Sequence, residues 1–274
     1  MYNILLCNMS QKLSKSLSEY FDENKRLNDD SKNSEKILSL AMEEVILYSQ
    51  ELFKNISGTV NTKNKMTLYE CQEYFHNAGG PEPNPINKNF CMRPDGGILM
   101  LSLNGKDIPI LIVEDKVQGT NDNLFAKKCG RQATGNAIER GAKNIRGAEM
   151  IFAGLPIFPY VLFATGCDFH KTETISKRID MMNMGITNHY IDINKSSSYE
   201  NTNIIIENIK KSINIKKVCG IGIASVFIKA HKWNDMEHGA SMWKKEEIVN
   251  ICKKVIDNVY ENISTSLIQD TLFQ

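Results

Sequence analysis

An Asn-Gly pair, Asn104-Gly105, stands between two apolar runs, Ile98-Leu99-Met100-Leu101 and Ile108 to Val113. Asn-Gly between such runs is the strongest short-range signal for a two-residue hairpin turn, because both centres tolerate the positive φ that matches the strands' twist. The second run is short and rich in Ile, Val and Leu, so it reads as a buried strand. Antiparallel pairing then carries the end of the second strand back to the start of the first. Two polar groups flank the hairpin at those ends. Asp95 lies ahead of it, in Arg93-Pro94-Asp95-Gly96-Gly97, and Glu114-Asp115-Lys116 closes it. The turn is therefore expected to gather Asp95, Glu114 and Lys116.

Side chains alternate across a strand, which sends Glu114 and Lys116 to one face and Asp115 to the other. Two carboxylates and an ammonium at a strand end can hold a magnesium ion, a hard cation that takes oxygen ligands. Asp95 and Glu114 are the candidate metal ligands. A bound ion would lower the pKa of a water and offset charge on a phosphate in flight. Lys116 could orient that water, help to deprotonate it, or stabilise the developing charge. This set suits phosphodiester hydrolysis. A turn aspartate beside a solvent-facing Glu/Lys pair would give the same letters.

A chain of 274 residues, 42% hydrophobic and 24% charged, is an ordinary globular composition. A net charge of +1 excludes a uniformly basic nucleic-acid binder, so any DNA surface must come from local concentration of charge. Only six of the 33 basic residues are Arg, and five of them lie between positions 93 and 178. Arg presents the planar fork that reads phosphates and guanine edges. The seven cysteines are odd in number and include no CxxC, which points to reduced thiols in a cytoplasm and away from structural zinc. The five histidines show no ligand spacing, and His238 reads as surface. No leader peptide and no apolar run of membrane-spanning length is evident.

Along the chain, residues 22 to 35 read as a polar loop, 36 to 53 as a core-facing helix, and 67 to 75 as a shorter helix. Residues 77 to 89, with two Gly and three Pro, form a loop that delivers the chain to Asp95. A polar loop is expected over 118 to 134, a helix from 137 to about 152 and a buried strand over 158 to 164. A short helix over 175 to 184, a polar loop over 194 to 203, a strand over 220 to 230 and an amphipathic helix over 246 to 260 follow. The pattern predicts one α/β domain over 1–274, a mixed central sheet flanked by helices.

A second constellation, Gly135-Asn136-Ala137-Ile138-Glu139-Arg140, opens the helix after the site loop. Asn136 and Arg140 are four apart, so they share a face if the helix has begun by Asn136, and Lys143 and Asn144 extend that face by another turn. Asn can pair with adenine and Arg with purine N7 in a major groove, although a plain charged surface helix has the same pattern.

With Arg-Pro-Asp-Gly-Gly, Val-Glu-Asp-Lys-Val-Gln-Gly, Lys143-Asn144-Ile145 and Phe158 to Phe163, this motif resembles the EcoRI family of type II restriction endonucleases. A weaker likeness runs from Trp233 to Phe273, and the first 75 residues are similar only in helical character. The resemblance implies a restriction-endonuclease-like PD-(D/E)xK core, a homodimer on palindromic double-stranded DNA, and Mg2+-dependent cleavage of both strands. It also implies 5′ overhangs and a companion methyltransferase acting on the same site without a stable complex. Asp95, Glu114 and Lys116 match the family's catalytic residues. Asn136, Ala137, Glu139 and Arg140 match the motif that reads a central AATT, and Arg178 matches one arginine near the outer base pair. The residues expected at DNA are thus Gln118, Gln132, Asn136, Ala137, Glu139, Arg140, Lys143 and Arg178.

This chain departs from the family pattern at several points. Met181 replaces a second arginine, Gln132 a methionine, and Asp115 an alanine, this last expected to face away from the metal with little effect. The loop over 118 to 135 is shorter. An AATT core follows, while GAATTC, a relaxed RAATTY, CAATTG and AATT alone stay open for the outer pair. A structure-specific or repair nuclease could use the same metal core without the Gly-Asn-Ala-Ile-Glu-Arg motif. A DNA-binding protein without activity would not need Asp95, Glu114 and Lys116.

Overall fold

The hairpin forms as the Asn-Gly pair dictates: Asn104 and Gly105 take φ of 51° and 75°, and they join strands that pair across them. A computed structural model of the chain describes residues 25–117, 144, 147–153, 155, 158–165, 189–195, 222–229 and 242–268. In chain order these hold helix α1 (Lys25–Lys54), strands β1 (Thr59–Lys63) and β2 (Met66–Thr67), helix α2 (Leu68–Asn77) and a 3-10 turn (Pro85–Asn89). Strands β3 (Cys91–Met92), β4 (Ile98–Leu103), β5 (Lys106–Val117), β6 (Tyr160–Thr165), β7 (His189–Lys195) and β8 (Gly222–Lys229) follow, then helix α3 (Lys245–Ile268).

The main sheet has six strands in the order β1-β4-β5-β6-β8-β7. The β1-β4-β5 part is antiparallel and the β5-β6-β8-β7 part parallel, so the sheet is mixed. Its two faces bury different cores. Leu99, Leu101, Val113, Val161 and Phe163 pack with α1 and α3, whereas Ile98, Met100, Ile112, Tyr160 and Leu162 pack with Cys71 of α2 and with Ile151 and Phe152. The α/β class expected from the strand and helix pattern is observed.

Helix α1 is longer than its apolar periodicity. Residues 25–35, read from sequence as a polar loop, are helical. The segment 25–54 contains neither Gly nor Pro, and at its polar beginning Lys32, Asn33, Glu35 and Lys36 are exposed. Polarity here marks a solvated helix face rather than a loop. The inward stripe is Ser34, Leu38, Ala41, Val45, Ser49 and Phe53, at the three- and four-residue spacing of one helix face. Helix α3 lies alongside and runs in the same direction: Lys253 donates to Glu44 at 2.8 Å, the Tyr48 hydroxyl to Asp257, and the Phe53 and Tyr260 rings meet edge-on at 5.5 Å.

Helix α2 starts at a reciprocal cap. The Glu70 backbone N–H donates to Thr67 Oγ1 at 3.1 Å and the Thr67 N–H to the Glu70 carboxylate at 2.7 Å. The loop expected over 77 to 89 is present and includes the 3-10 turn. Strands were expected at 158–164 and 220–230, and β6 and β8 occupy them; α3 exceeds its predicted end by eight residues, reaching Ile268. Strand β7 was not foreseen, and the polar loop expected over 194 to 203 begins inside it. In β7 Ile191 and Ile193 alternate with Asp192 and Asn194, and β7 ends the sheet order, where a strand can do without a continuous apolar run. The segments read as a loop over 118 to 134 and a short helix over 175 to 184 lie outside the described residues, as does the start of the 137–152 helix; residues 147–151 are helical. No described helix is long and apolar enough to cross a membrane.

Candidate active site

The hairpin does gather the flanking groups, by a route that includes one extra residue. From the turn, Leu103 pairs with Lys106, Leu101 with Ile108 and Met100 with Pro109; beyond a register shift, Leu99 pairs with Leu111 and Ile98 with Ile112. Ile110 is therefore a bulge residue with no partner opposite. Its effect on facing is visible in the cores, since Ile108, Ile110, Leu111 and Val113 all join the α1/α3 core while Ile112 joins the other. The bulge inverts the alternation, so Glu114 and Lys116 follow Ile112 to the face away from α1, and Asp115 follows Val113 toward it.

Two glycines bring Asp95 across. Gly97 donates to the Pro94 carbonyl at 3.0 Å, closing a turn, and adopts φ of 80°. Gly96 donates to the Val113 carbonyl at 2.9 Å, and a Cβ there would sit 2.7 Å from Val113 Cβ. Only a residue without a side chain can approach β5 this closely.

Asp95 consequently reaches the end of β5. Its Oδ2 accepts from Lys116 Nζ at 2.7 Å and from the Asp115 backbone N–H at 3.3 Å. The Asp95 N–H donates to Glu114 Oε2 at 3.3 Å, and Lys116 Nζ also pairs with Glu114 Oε1. Glu114 is 2% exposed. Burial raises its pKa, and Lys116 and the Asn144 hydrogen bond oppose that rise without cancelling it. For Lys116, burial acts to lower the pKa, but the Glu114 charge and the bonds to Asp95 and Glu114 outweigh it, so the ammonium is favoured.

Sequence reasoning missed three partners of this site. Asn144, which the sequence placed on an exposed polar face, is buried, and its Nδ2 donates to Glu114 Oε2 at 2.9 Å. Ser34 of α1 donates to Asp115 Oδ2 at 2.6 Å from behind the sheet. The Tyr160 hydroxyl, on a residue 1% exposed, has no hydrogen-bond partner among the described residues, and burial together with the charges of Glu114 and Asp95 raises its pKa well above that of a free phenol. No spacing along the chain signals any of the three, because the bulge at Ile110 that turns Asp115 toward α1 and Ser34 is silent in the sequence.

The donor set fits a divalent cation. Both carboxylates already converge on one cationic atom, Lys116 Nζ, which stands in for an ion between Asp95 Oδ2 and Glu114 Oε1. The Tyr160 hydroxyl, without a partner among the described residues and close enough to feel the Glu114 and Asp95 charges, suits a hydrated ion. Asp95 and Glu114 offer two carboxylate ligands, and a magnesium ion held by one or two carboxylates takes water and substrate oxygens for the rest. Among the described residues no group of three or more His, Cys, Asp or Glu side chains is placed to hold a metal. A cleft of about 780 Å³ beside α2 contains none of the three residues and is a separate feature.

The residues expected at DNA (Gln118, Gln132, Asn136, Ala137, Glu139, Arg140, Lys143 and Arg178) lie outside the described residues. Comparison with known proteins bears on the chain as a whole. Type II restriction enzyme EcoRI of Escherichia coli is 39% identical over 97 residues, a stretch covering 32% of this chain and 35% of that enzyme's length. The chain thus matches about a third of that relative. The model of the restriction endonuclease EcoRI family matches residues 23–270, nearly the full length and both flanks of the hairpin, and by that match the chain belongs to the EcoRI restriction endonuclease family.

Proposed function

We propose that this chain is a type II restriction endonuclease that hydrolyses both strands of palindromic DNA with an AATT core, in a Mg2+-dependent reaction that leaves 5′ overhangs. It acts as a homodimer, and a companion methyltransferase protects the same site. The observation that carries the reading is the convergence of Asp95, Glu114 and Lys116 at one strand end, with Glu114 buried and held from two sides. Family membership over residues 23–270 supports it.

Asp95 and Glu114 would hold the magnesium ion, which when bound supplies an acidified water and positive charge beside the scissile phosphate. Asn144 and the Asp95 N–H occupy Glu114 Oε2, which fixes the carboxylate plane and presents Oε1 to the site. Lys116 keeps its proton at Nζ in this arrangement, so it is equipped to donate to a water or to phosphate oxygens. Asn136, Ala137, Glu139 and Arg140 read the AATT block, Lys143, Gln118 and Gln132 contact DNA around it, and Arg178 bears on the outer pair. With Met181 in place of a second arginine, discrimination at that pair loses a contact worth about 1–3 kcal/mol.

Digestion of a long duplex with Mg2+, followed by sequencing of the ends, tests this reading. Discrete fragments that all begin with 5′-AATT are expected, with none from a Glu114→Gln control. Cleavage confined to nicks, junctions or free ends would replace restriction with repair. Binding to AATT duplex without any cleavage would remove the catalytic assignment.

A further inference from the structure

Asp115 holds the two functional side chains through its own backbone. Its N–H donates to Asp95 Oδ2 at 3.3 Å and its carbonyl accepts from Lys116 Nζ at 2.8 Å. The orientation of this single residue therefore sets where Asp95 and Lys116 meet. Its side chain points the other way, through the sheet to α1, where Ser34 Oγ donates to Oδ2 at 2.6 Å. Ser34 is buried, and α1 is locked against α3 by the Glu44–Lys253 bond and the Phe53–Tyr260 ring contact. A half-buried carboxylate deprived of that donor would turn toward water and carry its peptide with it.

We propose that Ser34 and Asp115 form a brace, built from behind the sheet, that positions Asp95 and Lys116 for catalysis. Neither residue touches substrate; both act through the Asp115 peptide. This reverses the sequence expectation that Asp115 has little effect. Geometric errors of about 1 Å at reacting groups reduce rates by on the order of a hundredfold, so even partial release of the peptide is measurable. The kinetic arm of the test rests on the nuclease reading, and the spectroscopic arm does not.

The test uses the full chain with Ser34→Ala, Asp115→Ala and both together. Ser34→Thr and Asp115→Asn, which retain a donor and an acceptor, serve as conservative partners. Single-turnover cleavage of pre-bound duplex is expected to slow at least tenfold in each Ala variant, with duplex affinity in Ca2+ within twofold of the parent. The double variant should be no slower than the worse single one, and the conservative variants should recover most of the rate. In the DNA-free protein, the Asp115 amide resonance should move in Ser34→Ala and return in Ser34→Thr. An unmoved amide in Ser34→Ala overturns the brace even if the parent cleaves no DNA. Equal rates across the set, or a loss shared equally by affinity and rate, also overturn it.

Discussion

Replacing Asp115 with Asn removes a charge from a place where the fold disfavours it. Burial first, with the Asp95 charge adding, pushes the Asp115 carboxyl up to about 6 from 3.8, against the opposing pull of the Ser34 hydrogen bond and of Lys116. A native-state pKa above the unfolded one means that the native state holds the proton more tightly. The stability this contributes is complete below pH 3.8 and is lost as pH rises through about 6. A shift of about two units corresponds to ~3 kcal/mol at neutral pH, an upper bound because the carboxylate keeps some contact with water. Asn keeps an acceptor for Ser34 and does not titrate. Its stability advantage over Asp should therefore shrink by ~1.3 kcal/mol between pH 7 and pH 5. Urea unfolding of both proteins at pH 5, 6 and 7 in EDTA reads this directly, and comparing pH values cancels any fixed difference in packing. An offset that stays constant with pH, or that grows as pH falls, would refute the argument from burial.

Asp95→Ala and Glu114→Ala should each abolish cleavage while AATT duplex still binds in gel-shift assays, more tightly if anything, since negative charge near phosphate is removed. Asn136→Ala should lose discrimination within AATT, seen as comparable cleavage of substituted duplexes. Asn144→Ala leaves Glu114 Oε2 short of a donor in a buried setting; we expect a raised metal requirement in titrations of the cleavage rate and a stability loss of about 1–3 kcal/mol. Gly96→Ala forces a Cβ to within 2.7 Å of Val113 Cβ and should lift Asp95 off β5, lowering both the melting temperature and the cleavage rate.

Some of this molecule could be read from its letters because local chemistry left no alternative. Asn104-Gly105 requires positive φ, and the structure supplies it at both residues. The short helix expected over 67 to 75, which opens on the Thr67/Glu70 cap, and the apolar stripe of α3 are local in the same way. The beginning of α1 was misread because a solvated helix and a polar loop share a composition, and only the buried Ser34 in the midst of exposed neighbours separates them. Asn144 was misread for a related reason: its partner, Glu114, is thirty residues away, and no spacing along the chain encodes a hydrogen bond across that distance.

The bulge at Ile110 shows where such reading stops. Counting alternation from the turn puts Ile108, Ile110, Ile112, Glu114 and Lys116 on one face, the face that α1 and α3 cover. Counting back from the Glu-x-Lys triplet establishes only that Glu114 and Lys116 share a face, not which one. The two counts agree unless a residue is inserted, and insertion leaves no mark here because Ile110 and Leu111 are both apolar and both settle into the α1/α3 core. A polar residue at either position would have revealed the shift through the penalty of burying it. The insertion decides which groups meet. Without it Glu114 and Lys116 would meet the helix layer that holds Ser34, and Asp115 would occupy the side where Asp95 and Asn144 converge. One silent residue in an apolar run thus determines which carboxylate of the triplet faces Asp95 and Asn144 and which is tied to α1.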